Sequence, residues 1–376
     1  MKRRQVKVFK VVKKPRTFHG DIEETPYKYA SVKDVNDRQP KNWSSIYNGI
    51  VEMRKLFKCP VDMMGCESIP NTITPNLSVN DPQRYRFQLL LSLMLSSQTK
   101  DEINYEAMLK LNNELKGTKG LTIDGILSLE DARLNELIFQ VGFHNRKTGY
   151  IKKACEILKA QYDNDIPKTI EEIVKLPGVG PKMGYLLLQK GWNKNDGIGV
   201  DVHLHRLAIM WGWVKNSSNP EVTRAQLQDW LPKEHWGDVN PLLVGFGQVI
   251  CTPQFKNCDI CLLGRDKICK ARNQKMINQP LSEKRIEKLQ SSRGELNQLI
   301  DFIQSRENKN EDDKEQDIKV EIKEEIKTEI KAETIENSIK VERTEQIQTR
   351  TRKSRHKIKL ESSDTLNSEA NIKVEG

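Results

Sequence analysis

Thr169-Ile170-Glu171-Glu172-Ile173-Val174-Lys175-Leu176-Pro177-Gly178-Val179-Gly180-Pro181-Lys182 is the stretch that decides the fold. Thr169 and Glu172 have capping-box spacing, which starts a helix with Ile170, Ile173 and Val174 on its buried face. Pro177 stops that helix, because proline disfavours helical geometry in the residue before it. Gly178 and Gly180 permit a tight turn with unusual backbone angles and nothing projecting outward. Pro181 suits the first position of a second helix. The stretch therefore predicts helix, glycine-rich hairpin, helix.

Such a hairpin exposes backbone N–H groups beside a helix N-terminus, where a phosphate can be held. Gly178, Val179 and Gly180 are thus candidate contacts to a DNA backbone, made without reading its sequence. The bland reading is a plain helical hairpin in the core. Lys182 falls in the first turn of the second helix, where the helix dipole disfavours a cation. A lysine so placed can lose its proton more readily and act as an amine nucleophile. A solvated lysine touching phosphate is the alternative.

Outward from the hairpin, apolar stripes at helical spacing recur near 44–57, 103–115, 130–139, 146–162, 202–213, 221–231 and 240–250. The run 85–98 is apolar nearly all round, as a buried helix should be. Residues 59–82, rich in Pro, Asn and Ser, read as an irregular link. No convincing alternating strand pattern is present, so the expected fold class is all-α.

The 376 residues carry 62 Lys plus Arg and 52 Asp plus Glu, a net charge of +10. Residues 1–280 carry 42 basic and 30 acidic groups, whereas 281–376 carry 20 and 22. All six Trp precede residue 281. Eight of the basic residues lie in an acid-free arm, 1–20, which leaves 34 against 30 in 21–280. Any polyanion binding by the core therefore depends on where particular cations sit rather than on bulk charge. The arm reads as a targeting segment, nuclear first and mitochondrial second. No run approaches the roughly 18–20 apolar residues of a membrane span. Seven cysteines do not make a disulfide scaffold, which fits a reducing compartment.

Cys251, Cys258, Cys261 and Cys269 fall within 19 residues, spaced C-x6-C-x2-C-x7-C. Four thiols so clustered predict a metal site, and spacing alone leaves zinc and iron–sulfur both open. Lys256, Arg265, Lys267, Lys270 and Arg272 surround them and could face DNA. Asp201 directly precedes the stripe Val202, Leu204, Leu207, Ala208 and Trp211, which makes it a good helix N-cap.

Leu176 to Lys182 resembles the helix-hairpin-helix of the endonuclease III DNA glycosylases. Three further segments resemble that family in the same order: Arg84-Tyr85-Arg86-Phe87 leading to Leu95-Ser96-Ser97-Gln98-Thr99-Lys100-Asp101, then Val200-Asp201-Val202-His203-Leu204-His205-Arg206, then Leu242-Leu243-Val244-Gly245-Phe246-Gly247-Gln248. The likeness covers roughly 44–275 and is nearest the eukaryotic branch, fungal members included. It implies that Lys182 is the nucleophile and Asp201 the catalytic carboxylate, a role compatible with capping. It assigns Gln98 to filling the gap left by an extruded nucleotide and Phe143 to the apolar wedge, with Arg146 and Lys147 near phosphates. It implies a 4Fe-4S cluster on the four cysteines, although the last spacing here is two residues longer than the family's usual five.

The implied architecture is two helical lobes flanking a DNA-binding cleft, within a monomer. A basic arm, 1–40, precedes a helix and link, 41–79, that packs on the cluster lobe. A six-helix domain, 80–195, carries the hairpin at 169–191. The cluster lobe, 196–275, precedes a charged disordered tail, 276–376. The implied activity is that of a bifunctional glycosylase and abasic-site lyase on oxidised pyrimidines in damaged double-stranded DNA. A mispair adenine glycosylase, which usually lacks the lysine, and a non-catalytic binding module are the alternatives.

The tail repeats Ile-Lys-x-Glu seven times, starting at Ile318. Each unit looks like an acceptor for a small ubiquitin-like modifier, at Lys319, Lys323, Lys327, Lys331, Lys340, Lys359 and Lys373. A marginal amphipathic helix with Lys–Glu pairs is the alternative.

Overall fold

Asp81 accepts a hydrogen bond from the backbone of Arg84 and Pro82 occupies the first turn, so the apolar run begins as a capped helix, Pro82–Ser96. In the computed structural model, described for residues 29–33, 38–308, 323–324, 327–328, 331 and 342–355, this helix is buried on all sides from Phe87 to Leu95. Among the described residues every regular element is helical, and pairing of extended chain is limited to two isolated bridges, Lys58–Glu295 and Cys251–Lys256. Among the described residues no helix is long and apolar enough to cross a membrane. The all-α expectation holds.

The chain divides after Ile303 into two units. The first contains two apolar cores. One gathers Met63 to Leu188 around the Pro82–Ser96 helix, with Asp101–Leu115, His144–Gln161 and Pro181–Gly191 packed about it. The other gathers Trp43 to Val61, Ile198 to Leu263 and a late segment, Leu289 to Ile303. These are the two lobes. A buried ion pair between Arg54 and Asp62 marks the point where the chain passes from one to the other. Both side chains are almost fully enclosed, so removing either partner strands a charge.

Three boundaries differ from the sequence reading. Residues 59–82 are not an irregular link but three short helices, Pro60–Met64, Ile69–Ile73 and Leu77–Asn80. Pro at the first turn of two of them starts a helix rather than breaking one. Met63, Met64, Ile69 and Leu77 belong to the hairpin lobe, so only Trp43 to Val61 of the 41–79 segment packs on the cluster lobe. The tail boundary drawn at 276 falls too early. Leu289, Leu296, Leu299, Ile300 and Ile303 are buried in the cluster-lobe core, and the backbones of Lys58 and Glu295 exchange hydrogen bonds of 3.1 and 3.0 Å.

In the second unit, 342–355 is helical and exposed throughout, as are Lys323, Lys327 and Lys331. Lys319, Lys340, Lys359 and Lys373, and the basic arm, lie outside the described residues.

Candidate active site

The hairpin forms as the sequence requires, with one refinement. Thr169 caps a single helical turn, Ile170–Ile173, and its hydroxyl donates to Glu172. Ile173 is buried and Ile170 half-buried, whereas Val174, at the helix C-cap, is exposed. Gly178 has φ +80°, and a Cβ there would lie 2.7 Å from the Tyr150 ring, so both conformation and space demand glycine. Gly180 has an ordinary φ of −105°. Nothing lies within 4 Å of where its Cβ would be, which leaves its backbone open to close approach. Val179 is buried in the lobe core, so it can offer DNA only its main chain.

Lys182, half-buried in the first turn of Pro181–Gly191, lines a cleft of about 560 Å³. Asp201 lines the same cleft from the other core's side of the molecule, and Gln98 lies at its edge. The Asp201 carboxylate accepts from the Leu204 N–H at 2.7 Å, so it is the N-cap of Val202–Met210. Its other oxygen has no such partner in the cap. His203 follows on the same turn, and burial keeps its imidazole below its ordinary value against the opposing pull of Asp201. A Cβ on Gly247 would lie 2.7 Å from the His203 ring, and one on Gly245 would lie 2.6 Å from Cys59 Sγ. The two glycines of Val244-Gly245-Phe246-Gly247-Gln248 are thus packing requirements that bring this helix against the cleft.

Gln98 and Phe143 are exposed and both hold left-handed backbone, with φ +54° and +59°. Side chains other than glycine rarely adopt that region, so the surrounding structure must hold them there. Arg146 is exposed, as a phosphate contact must be. Lys147 is not placed for that role. It is 5% exposed, and its ammonium donates to the carbonyls of Leu95 and Ser97 at 2.7 and 2.6 Å and to Thr99 Oγ1 at 3.3 Å. Burial pushes it down to about 8. Lys147 caps the C-terminal end of the Pro82–Ser96 helix, where cations are favoured. The assignment of Lys147 to phosphates is therefore corrected.

Cys251, Cys258, Cys261 and Cys269 are each buried, unpaired in disulfides, and on the wall of one apolar-lined cavity. The Arg206 guanidinium donates to the Cys251 carbonyl, and the Asn273 N–H points at Cys258 Sγ at 3.4 Å. Among the described residues no three His, Cys, Asp or Glu converge as ligands of a single ion.

Residues 91–233 match the family described as HhH-GPD superfamily base excision DNA repair protein. Endonuclease III homolog of Schizosaccharomyces pombe is 46% identical over 230 residues, which cover 61% of this chain and 62% of that one. Endonuclease III homolog 2 of Saccharomyces cerevisiae is 43% identical over 273 residues, 70% of each chain. Endonuclease III-like protein 1 of Gallus gallus is 48% identical over 225 residues, 60% of this chain and 76% of that one. The chain belongs to the endonuclease III family. The aligned part spans a little under two thirds of the Schizosaccharomyces pombe relative.

Among the polar residues that line the endonuclease III cleft of this chain and that the motifs left without a role are Asp101, Gln248 and Arg293. Burial pushes the Asp101 carboxyl up to about 6, against a 2.7 Å hydrogen bond from Gln248 and the charges of Arg293 and Lys182. Asp101 and Gln248 stand inside quoted motifs, so their positions were readable but their pairing was not. Arg293 was hidden in a segment read as tail. The signal that reveals it is the helical spacing of Leu289, Leu296, Leu299, Ile300 and Ile303.

Proposed function

We propose that this chain is a bifunctional DNA glycosylase and abasic-site lyase that excises oxidised pyrimidines, of the thymine-glycol and formamidopyrimidine type, from double-stranded DNA. The observation that carries the reading is that Lys182 and Asp201 line one cleft with Gln98 at its edge. An amine, a carboxylate and a gap-filling side chain are what extrusion and displacement of a damaged base need.

The hairpin N–H groups hold the backbone beside the lesion while Gln98 and Phe143 occupy the space the nucleotide leaves. The Lys182 amine attacks the anomeric carbon, so an N–C bond forms as the bond to the base breaks. Asp201 stabilises the positive charge that develops on the sugar and takes part in deprotonating the amine. Opening of the sugar ring then gives a Schiff base. Its cationic nitrogen acidifies the adjacent sugar proton, and loss of that proton expels the 3′ phosphate. One amine thereby performs both steps.

The four cysteines fit a 4Fe-4S group. Four buried thiols, none in a disulfide, line one cavity, which is the donor set such a cluster takes, and the family resemblance favours it over zinc. When bound, the group cross-links the 251–269 loop and stabilises the lobe. The chemistry above calls on no electron transfer. Iron analysis tests the assignment: about four irons per chain, lost together with thermal stability in Cys261→Ser, is the expected result.

The enzyme reading is tested by incision of a duplex with one thymine glycol. Cleavage 3′ to the lesion supports it. Tight binding without cleavage favours a non-catalytic module, and removal of adenine from a mispair without strand cleavage favours the adenine glycosylase. From the sequence we also propose a nuclear address in residues 1–20, with a mitochondrial share, and attachment of a small ubiquitin-like modifier to the seven tail lysines. Exposure of Lys323, Lys327 and Lys331 is compatible with modification. Mass spectrometry after oxidative stress that finds no modifier on any of the seven would refute it.

A further inference from the structure

The segment after the cluster loop is a strap that returns to the cleft. Glu283–Gln290 starts it as a helix capped by Ser282. Arg285 grips the cluster loop there: its Nε and Nη2 donate to Asp259 at 2.6 and 2.9 Å, and Asp259 lies between Cys258 and Cys261. Leu289 is buried beneath it. The chain then pairs with Lys58 through Glu295, and Leu296, Leu299, Ile300 and Ile303 seal it to the core. Between these two anchorages Arg293 lines the same cleft as Lys182 and Asp201.

Arg293 is held by a fork. Its Nε and Nη2 donate to the two oxygens of Glu102 at 2.9 and 2.8 Å. Burial would raise the Glu102 carboxyl, but the guanidinium outweighs it and keeps the carboxyl below its usual range. Nη1 has no hydrogen-bond partner among the described residues. Because the fork neutralises the charge, Arg293 presents the cleft with oriented N–H donors rather than with an uncompensated cation. Such donors suit the carbonyl oxygens of a neutral base. A phosphate would be better met by an unpaired cation.

We propose that Arg293 is a specificity-determining residue, which the strap delivers to the cleft so that Nη1 donates to a carbonyl oxygen of the extruded damaged base. The assignment rests on the glycosylase reading above. It places one recognition element of the site outside the four motifs, in a segment after the cluster.

The test compares two duplexes, one with thymine glycol and one with a pre-formed abasic site that has no base to contact. The full chain, wild type and Arg293→Gln, is assayed on both, with thermal midpoints measured to check folding and Arg293→Lys as a second variant. Loss of one hydrogen bond from a charged donor corresponds to roughly 10- to 100-fold in rate. The expected result is a fall of at least tenfold in the ratio of thymine-glycol excision to abasic-site cleavage in Arg293→Gln. Arg293→Lys, which keeps charge but not the fork, is expected to fall similarly. An unchanged ratio, whether both activities persist or both drop together, overturns the assignment. Wild-type protein that forms no borohydride-trapped adduct with the abasic duplex overturns the enzyme reading as well. Normal trapping with an unchanged ratio overturns the Arg293 role alone.

Discussion

The Gly142 N–H donates to the Thr99 hydroxyl across 3.1 Å, joining the loop that carries Phe143 to the loop that carries Gln98. The approach is tight, since a Cβ on Gly142 would lie 2.4 Å from the Gln98 carbonyl oxygen. The loops that carry the two side chains assigned to the gap in the duplex are thus held together as one unit. Gly142→Ala is expected to push the loops apart and cost about 1–3 kcal/mol of stability. Excision from a duplex should fall more than cleavage of an abasic site in single-stranded DNA, where no stack needs filling. Parallel rate assays on the two substrates check this.

Lys147 locks the same unit from below, and Arg146 beside it faces solvent. Arg146→Ala is expected to reduce the salt dependence of DNA binding by about one phosphate contact. Lys147→Met should leave that dependence unchanged but strand two buried carbonyls, lowering stability by about 1–3 kcal/mol. Binding titrations at several salt concentrations, with thermal melts, separate the two.

Asp101 gives a pH signature with a definite sign. Its carboxyl titrates near 6 in the folded chain, against 3.8 for an ordinary aspartate. Between those values the folded protein holds more protons than the unfolded one, so stability falls as pH rises through that window. The penalty is complete above pH 6. Asp101→Asn keeps an acceptor for Gln248 and removes the titration. Its thermal midpoint relative to wild type should therefore rise between pH 4 and pH 7, where melts at fixed ionic strength can follow it.

Asp201 caps Val202–Met210, and one pair of variants divides that duty from the catalytic role proposed for it. Asn retains the cap on Leu204, so Asp201→Asn is expected to fold with stability within about 1 kcal/mol of wild type. Excision should nonetheless drop by roughly 10²- to 10⁴-fold, because the amide stabilises no developing cation and accepts no proton. Asp201→Ala should lose both the activity and about 1 kcal/mol of cap energy. Melts and single-turnover rates supply the comparison.

The hairpin was legible because proline and glycine act through their own backbone chemistry. Pro177, Gly178 and Pro181 need no partners to be read. The site of Lys182 followed from that local geometry. Lys147 shows where charge misled. It lies one turn before Ile151 on the stripe that continues through Ala154, Cys155 and Leu158, all of them buried. Its position on that face signalled burial even though its ammonium signalled solvent. The strap was obscured by its neighbours, since a charged and repetitive tail diluted the apolar spacing from Leu289 to Ile303. Ion pairs between distant segments, such as Arg293 with Glu102, leave no local trace in sequence. Only the folded chain brings them together.

Covalent trapping interrogates the proposed Lys182 nucleophile directly. The full chain is incubated with a duplex containing thymine glycol in the presence of borohydride, which reduces a Schiff base to a stable amine. A cross-linked protein–DNA species is expected with wild type, with peptide mapping placing the attachment on Lys182. Lys182→Gln is expected to give no such species while still binding the duplex. A cross-link that survives in Lys182→Gln, or wild-type protein that excises the base without any trappable intermediate, would rule out Lys182 as the nucleophile.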